Sequence, residues 1–205
     1  MATQSYNLST VTPPPEEASQ HVLDAAEQLF LARGYAQTKL RDLATQLNIK
    51  PASLYYHAPG GKEELWHRVM DRLLKRHREQ LTQAAAQAGP NLRSQLRAMG
   101  DWLISQPLVN PVSILSADPG TKGRGQAVST ADQLYEGLMM PVVSAVRAAA
   151  ERGELKPVEP DLVAGVFVTS INGMIPLSAD NQLPTSLQTL VYQLVDILMD
   201  GIERE

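Results

Sequence analysis

Apolar residues recur three or four positions apart along most of the chain, which is the spacing of one face of an α-helix. Asn91, Asp161 and Pro184 are suited to the first turn of a helix, and Pro141 predicts a kink. Gly34 is suited to the C-terminal end of a helix. The pattern predicts helices at about residues 15–33, 38–47, 51–57, 62–87, 91–106, 126–152, 161–178 and 184–202. We therefore predict an all-α fold.

The segment 38–57 predicts two short helices joined by a tight turn. Thr38 is a preferred N-cap for the first helix, and Asn48 is suited to a left-handed turn residue between them. Leu54 is the one strongly apolar residue of the second helix, so most of the surface of that helix stays free for a partner. Two helices with this turn form a helix-turn-helix, whose second helix enters the major groove of DNA.

The side chains around the second helix suit a nucleic acid. Ala52 and Ser53 are small enough for close approach to base edges, and three polar rings follow them as hydrogen-bond donors. Lys50 opposes the dipole of the helix, which a bound phosphate would relieve. The candidate DNA contacts are Thr38, Lys39, Arg41, Lys50, Pro51, Ala52, Ser53, Tyr55, Tyr56, His57 and Lys62. The alternative is an ordinary helical hairpin with a polar face.

Several short motifs lie in register between about residues 20 and 66. They are Val-Leu-Asp-Ala-Ala-Glu-Gln-Leu-Phe (22–30), Arg-Gly-Tyr (33–35), Thr38, Asp-Leu-Ala (42–44), Leu-Tyr-Tyr-His (54–57) and Lys-Glu-Glu-Leu (62–65). As a set they resemble the N-terminal signature of the tetracycline-repressor (TetR) family of transcription regulators. The chain has Asn48, Lys50 and Ala58 where that signature usually has Gly, Ser and an aromatic residue, and Pro-Gly-Gly at 59–61 lengthens the following link.

Residues 1–15 are polar and end in three prolines, which predicts a disordered arm. The resemblance implies a three-helix helix-turn-helix DNA-binding domain at 16–63 and a helical-bundle ligand-binding and dimerisation domain at 64–205. It also implies a homodimer that pairs the helices at about 161–178 and 184–202 and binds a palindromic operator in double-stranded DNA. These two helices hold more apolar surface than one subunit readily covers. The alternative is that both are buried within one subunit.

Charge is segregated along the chain. Residues 33–78 hold ten basic and four acidic residues, whereas residues 79–205 hold eight basic and fourteen acidic ones. Positive charge is therefore concentrated on the module that is expected to meet phosphate. The overall net charge of −4 hides this division.

Composition excludes several classes of site. The chain has no cysteine, which excludes disulfides, zinc–thiolate sites and thiol redox sensing. His67 and Asp71 are four residues apart and could share a metal, but a solvated pair is the simpler interpretation, and we expect no metal or cofactor.

We find no apolar run near the roughly 20 residues that span a bilayer and no secretory signal, and we expect a cytoplasmic protein without a membrane partner. The Gly-rich segment 117–125 fails the phosphate-loop spacing and is read as a loop.

A small apolar or amphipathic effector is expected between residues 95 and 175, where its binding would release the DNA. The candidate lining residues are Met99, Trp102, Leu103, Leu115, Tyr135, Met139, Phe167, Ile171, Asn172 and Met174. The alternative is a plain core, which is the usual role of Met and aromatic residues at helical spacing. Two further alternatives are an architectural DNA binder without ligand control and a helical-bundle enzyme. The enzyme would need paired core carboxylates or a Glu-x-x-His repeat, and the sequence shows neither.

Overall fold

The structure, a computed structural model, describes residues 15–107, 109, 111, 114–115, 130–179 and 184–204. The helices there are α1 Pro15–Gln37, α2 Leu40–Gln46, α3 Pro51–His57, α4 Gly61–Gln87, α5 Leu92–Ser105, α6 Thr130–Leu134, α7 Met140–Glu151, α8 Pro160–Ala179 and α9 Leu187–Ile202. A π-helical segment, Tyr135–Met139, joins α6 to α7 and is called the π turn below. The all-α prediction is confirmed. The predicted arm, apart from Pro15, and the predicted loop at 117–125 lie outside the described residues.

Helices α1 to α3 form the N-terminal module. Gly34 interrupts α1 with φ 74° and ψ 167°, so the long helix ends there and one further turn follows. Asn48 has φ 53°, as the sequence predicts for the turn between α2 and α3. The prediction for Thr38 is wrong: Lys39 is the N-cap of α2, and the Thr38 hydroxyl donates to the Gly34 carbonyl at 2.8 Å. The Thr38 hydroxyl therefore forms a hydrogen bond to the residue at which α1 is interrupted, and it does not cap α2.

The connecting helix α4 is continuous from Gly61 to Gln87. The predicted domain boundary after residue 63 lies inside this helix, so the N-terminal module and the helical body share it. Its first half packs on α1, and its length also contacts α5, α7 and the π turn. A movement of the body against α4 would therefore reach the N-terminal module.

Helix α5 approaches α8 and α9 closely at Gly100. A Cβ on Gly100 would overlap Val191 and lie 3.6 Å from both Phe167 and Ile171, so only glycine allows this approach of the helices. Asn91 caps α5 as predicted, because its side chain accepts the Ser94 N–H at 3.0 Å.

Two predicted helix starts are wrong. Helix α8 begins at Pro160 rather than after Asp161, and the first-turn amides of Leu162 and Val163 donate to the Glu159 carbonyl. Helix α9 begins at Leu187 instead of Pro184. The cap of α9 is the Ser186 side chain, which accepts a backbone N–H one turn into the helix.

Pro141 produces a change of helix type rather than the predicted simple kink. Proline has no N–H, so the Gly137 carbonyl lacks the donor that an α-helix would provide. The preceding turn is π-helical, with the Met140 N–H donating five residues back to the Tyr135 carbonyl. The hydrogen-bonded turn directly before α7 therefore spans one residue more than a turn of an α-helix.

Helix α8 also corrects the expectation that no segment is long and apolar enough to span a bilayer. Residues 160–178 pass by length and composition, with a mean hydropathy of 1.3 and 28% of the window buried. Leu162, Val166 and Leu177 are 62%, 41% and 43% exposed. An unpartnered apolar helix face is also what a protein interface presents.

Candidate nucleic-acid interface

Helix α3 presents most of its surface to solvent. Leu54, 2% exposed, fastens the helix to the module, whereas Tyr55 and Tyr56 are 54% and 77% exposed. His57 is half-buried at the end of the helix. Pro51, Ala52 and Ser53 are exposed at its start. One buried anchor and an exposed remainder are the arrangement that a groove-reading helix requires.

Three exposed cations flank this helix. Lys39, Arg41 and Lys50 form no ion pair within the described part of the chain. In contrast, Arg33 pairs with Asp42 at 3.5 Å, and the arginines of α4 pair with carboxylates of α1, α4 and the π turn. Lys39, Arg41 and Lys50 are thus available to phosphate.

Lys62 is held at the edge of the same surface. Its ammonium lies 4.1 Å from the centroid of the Tyr35 ring, a cation–π distance. Tyr35 in turn packs edge-to-face against Trp66, with 5.2 Å between ring centroids. Burial lowers the pKa of Lys62. The aromatic packing fixes where this ammonium sits at the start of α4.

Thr38 does not belong to the exposed surface. It is 3% exposed, and its hydroxyl lies within hydrogen-bond distance of the carbonyls of Leu29 and Gly34. A buried hydroxyl that is already bonded inside the module cannot reach a phosphate without local opening. This candidate DNA contact is therefore corrected to a structural residue.

Arg68 positions α3, a role that sequence reasoning missed. Its guanidinium donates to the His57 carbonyl at 2.5 Å and to the Ser19 hydroxyl at 3.0 Å. It therefore joins the C-terminal end of α3 to α4 and α1. Nothing in the local sequence marks it, because its partners lie 11 and 49 residues away.

A second clamp joins α1 to α4. Glu27, with its side chain 13% exposed, accepts from Arg72 at 2.7 Å and from Arg76 at 2.6 Å. Asp24 adds a more exposed pair with Arg72, also at 2.7 Å. Burial by itself would raise the pKa of Glu27, but the hydrogen bonds and charges of the two arginines outweigh it, and the pKa is lowered. The clamp is therefore strongest with Glu27 ionised.

The Glu27→Gln variant is expected to lose about 1–2 kcal/mol of stability at neutral pH, since hydrogen bonds to a charged group are lost. Because the folded state lowers this pKa, the contribution is present above pH 4.5, the ordinary value, and disappears as pH falls through the folded value. Urea unfolding at several pH values should show a weaker acid dependence in the variant. Asp24→Asn, at the exposed pair, is the control and should change stability by less than about 0.5 kcal/mol. Equal acid dependence in wild type and Glu27→Gln would contradict this assignment.

The structure brings together three of the candidate effector residues. Leu115, Tyr135 and Met139 line one cavity of about 230 Å³. The other lining residues are Pro111, Ala131, Leu134, Leu138, Val168 and Thr169. The Tyr135 hydroxyl donates to the Asp161 carboxylate at 2.5 Å, which raises the pKa of Tyr135.

The remaining candidates do not line this cavity. Met99, Phe167 and Ile171 have no exposed surface, and Leu103 is 6% exposed. Trp102 packs edge-to-face on the buried His77 ring at 4.9 Å. Asn172 and Met174 are half-buried on α8. In the structure these seven residues belong to the packing of the helical body.

The charged side chains of the described residues form no cluster of three or more that could hold a metal. His67 is half-buried and Asp71 is exposed on α4. Asp71 lines a surface cleft together with Lys75 and Arg78. Lys75 and Arg78 are cations, which do not act as metal ligands, and the other carboxylate of the described lining, Glu136, pairs with Arg78.

Comparison with known proteins identifies the N-terminal module. Residues 22–69 match the model of bacterial regulatory proteins of the tetR family. The chain is 41% identical over 49 residues to the HTH-type transcriptional regulator LmrA of Bacillus subtilis. It is 42% identical over 50 residues to the biofilm operon icaADBC HTH-type negative transcriptional regulator IcaR of Staphylococcus epidermidis. Each match covers 24% of this chain and 26% of the relative, so the chain spans about a quarter of the length of these curated relatives.

A solved structure extends the likeness to the helical body. A protein from Saccharomonospora viridis, described as a transcriptional regulator in complex with choline, superposes with a TM-score of 0.71 at 17% identity. The superposition covers 93% of this chain and 100% of the other. At this identity the likeness concerns the fold, an N-terminal helix-turn-helix followed by a helical body.

Proposed function

From its membership of the tetR family of bacterial regulatory proteins, carried by residues 22–69, we propose that the chain is a ligand-responsive transcriptional repressor. It binds a palindromic operator as a homodimer, and a small apolar or amphipathic effector releases it. Regulators of this family are typically non-enzymatic DNA-binding proteins, and we propose no catalytic role. Since the partner is chromosomal DNA, the proposed location is the cytoplasm.

The observation that carries the proposal is the outward face of α3. Tyr55 and Tyr56 are exposed beside a single buried anchor, and Lys39, Arg41 and Lys50 flank them without an ion pair among the described residues. Exposed cations that are not paired within the described part of the chain can attract an anion, and the DNA backbone supplies a row of phosphates.

The homodimer is supported by the exposed face of α8. Leu162, Val166, Thr169, Gly173 and Leu177 recur three or four residues apart and are all exposed, so they share one face of the helix. On α9, Ile197 is 70% exposed. A second copy that packs on this surface would remove a continuous apolar strip from water and hold two α3 helices in a fixed spacing.

The effector is supported by the cavity next to the π turn. Its described lining is apolar apart from the Tyr135 and Thr169 hydroxyls and contains no carboxylate. The Saccharomonospora viridis protein was solved with choline, a quaternary cation that favours aromatic or acidic surroundings. The described lining here has one aromatic ring, Tyr135, whose hydroxyl is already bonded to Asp161, and no carboxylate of its own, so we propose an uncharged ligand.

The proposal is tested by selecting duplexes from random DNA with the protein and measuring affinity against salt concentration. Lys50→Ala and Lys62→Ala are each expected to weaken binding about equally across sequences and to lower the salt slope by about one, since each removes one phosphate contact. Fluorescence anisotropy at several salt concentrations measures both quantities.

Lys75→Ala is the matched control, because Lys75 is exposed on α4 and lines a cleft between α4 and the π turn. It should leave the salt slope unchanged. An unchanged slope in Lys50→Ala and Lys62→Ala would contradict their role at phosphate. Failure to select any DNA would overturn the proposed function, and selected DNA that no compound releases would favour a regulator without ligand control.

A further inference from the structure

The π turn separates the apolar cavity from α4. On one side, Tyr135, Leu138 and Met139 line the cavity. On the other side, Glu136 and Gly137 line the cleft beside α4. Five consecutive residues therefore contact a candidate ligand site and the helix that carries the N-terminal module.

The contact with α4 is a backbone contact. A Cβ on Gly137 would lie 2.9 Å from both the Cβ and the carbonyl oxygen of Leu74. Real side chains do not approach this closely, so even a methyl group would force the two helices apart. One turn further along α4, Arg78 pairs with Glu136 at 3.4 Å.

The surroundings leave room for this contact to shift. A cleft of about 260 Å³ adjoins it, lined by Asp71, Lys75, Arg78 and Glu136 among others. The cavity of about 230 Å³ lies on the other side of the π turn. Closely packed interiors transmit displacements, whereas open space beside a contact allows one element to move past another.

Movement of the π turn would take the form of a change in its hydrogen-bond pattern. Its hydrogen bonds run five residues back, and a change to the α pattern would move the segment by about one residue, or about 1.5 Å along the axis. In the α pattern the Gly137 carbonyl would face Pro141, which has no N–H, so the protein without a ligand favours the π pattern. Filling the cavity would press on Leu138 and Met139 and favour one pattern over the other.

Helix α4 would carry such a movement to α3. Arg68 on α4 donates to the His57 carbonyl at the end of α3. Arg72 and Arg76 hold α1 through Glu27. The first half of α4 and the N-terminal module are therefore joined by charged hydrogen bonds, which are short and directional.

We propose that the π turn is the switch that transmits occupancy of the cavity to α4, and that the occupant is a small uncharged apolar molecule about the size of a fused two-ring system. An enclosed apolar cavity of about 150 Å³ holds benzene, and this pocket, at about 230 Å³ and open to solvent beside Leu115 and Tyr135, is larger. The described lining has no charged side chain that would offset the desolvation of a charged ligand. This inference rests on the proposed function, because it names the ligand class and the coupling element of the same regulator.

The test uses the full-length protein with indole as the probe, which is bicyclic and uncharged. Amide hydrogen exchange is measured with and without indole, in the absence of DNA. In the wild type, indole is expected to slow exchange in residues 135–140 and to change it at least threefold in residues 71–78. No change in residues 71–78 upon saturation would overturn the proposal.

Gly137→Ala is the decisive variant, since its methyl group separates the π turn from Leu74. Indole should still bind within about threefold of the wild-type affinity by calorimetry, while the response in residues 71–78 disappears. Gly201→Ala is the matched control, because nothing lies within 4 Å of the added Cβ, and it should respond as the wild type does. Should Gly137→Ala fail to fold, Glu136→Gln replaces it and should weaken the response at least twofold. An unaltered response in the folded variant would overturn the proposal.

Two further measurements complete the test. Val168→Phe fills the cavity and should weaken indole binding at least tenfold. Unchanged binding would place the ligand elsewhere and overturn the proposal.

With selected DNA, saturating indole should weaken DNA binding by the wild type about fivefold or more, within the usual range of allosteric coupling. It should weaken DNA binding by Gly137→Ala less than about twofold. Equal weakening in both proteins would also overturn it. A protein that binds no DNA fails the proposed function, whereas the exchange experiment still decides on the switch.

Discussion

The Leu54→Ala variant is expected to lose about 2–5 kcal/mol of stability in the N-terminal module and with it operator binding. Leu54 is 2% exposed and is the only buried residue of α3. Removing its side chain leaves a cavity under a helix of seven residues, which is too short to persist without tertiary packing. Chemical denaturation followed by circular dichroism measures the first effect, and anisotropy with selected DNA measures the second.

Tyr56→Ala, two positions further along the same helix, separates stability from recognition. Tyr56 is 77% exposed, so its removal should change stability by less than about 0.5 kcal/mol. Its DNA affinity should nevertheless fall, because an exposed aromatic hydroxyl of a recognition helix is a hydrogen-bond donor to the duplex. A Leu54→Ala protein as stable as the wild type would show that α3 does not depend on this anchor.

The Val166→Arg variant is expected to be a monomer and to bind the palindromic operator about 10²- to 10⁴-fold more weakly. Val166 is 41% exposed on the apolar face of α8, and in a two-fold dimer a cation at this position would meet apolar surface of the second copy. The affinity falls because each half-site is then bound by an independent module, without the effective concentration that linkage provides. Light scattering after size exclusion gives the mass, and anisotropy gives the affinity.

Ala150→Arg introduces the same charge at an exposed position of α7, outside the face defined on α8. It should remain dimeric and bind DNA as the wild type does. A dimeric Val166→Arg protein that binds DNA as the wild type does would mean that the exposed face of α8 is not the interface. A dimeric protein with lowered DNA affinity would point to an altered dimer geometry.

The helix-turn-helix was readable from the sequence because local features determine it. The residue type of Asn48 predicts a left-handed turn, and its φ is 53°. Leu54 is the one strongly apolar residue of α3 and is its buried anchor. Both depend on the backbone preference or apolarity of a single residue within a twenty-residue segment. The motifs between about residues 20 and 66 likewise coincide with the family match over residues 22–69.

The sequence does not determine the role of Thr38, because that role depends on a neighbouring segment of the chain. Threonine before a helix favours an N-cap, and the sequence contains nothing that shows how closely the end of α1 approaches. In the structure the break at Gly34 brings its carbonyl within 2.8 Å of the Thr38 hydroxyl. A donor near a helix start thus has competing acceptors, and only the path of the chain selects among them.

By itself, the sequence determined the helical class, the helix-turn-helix, the segregation of basic residues onto it and the apolar character of the last two helices, because each follows from residue type and spacing along the chain. The tertiary structure decided which cations stay unpaired around α3, which three candidate residues share a cavity, that Arg68 holds the end of α3, and that Pro141 yields a π turn against α4. These features join residues far apart in sequence. Their distances depend on how whole helices pack, and periodicity within one helix does not determine that packing.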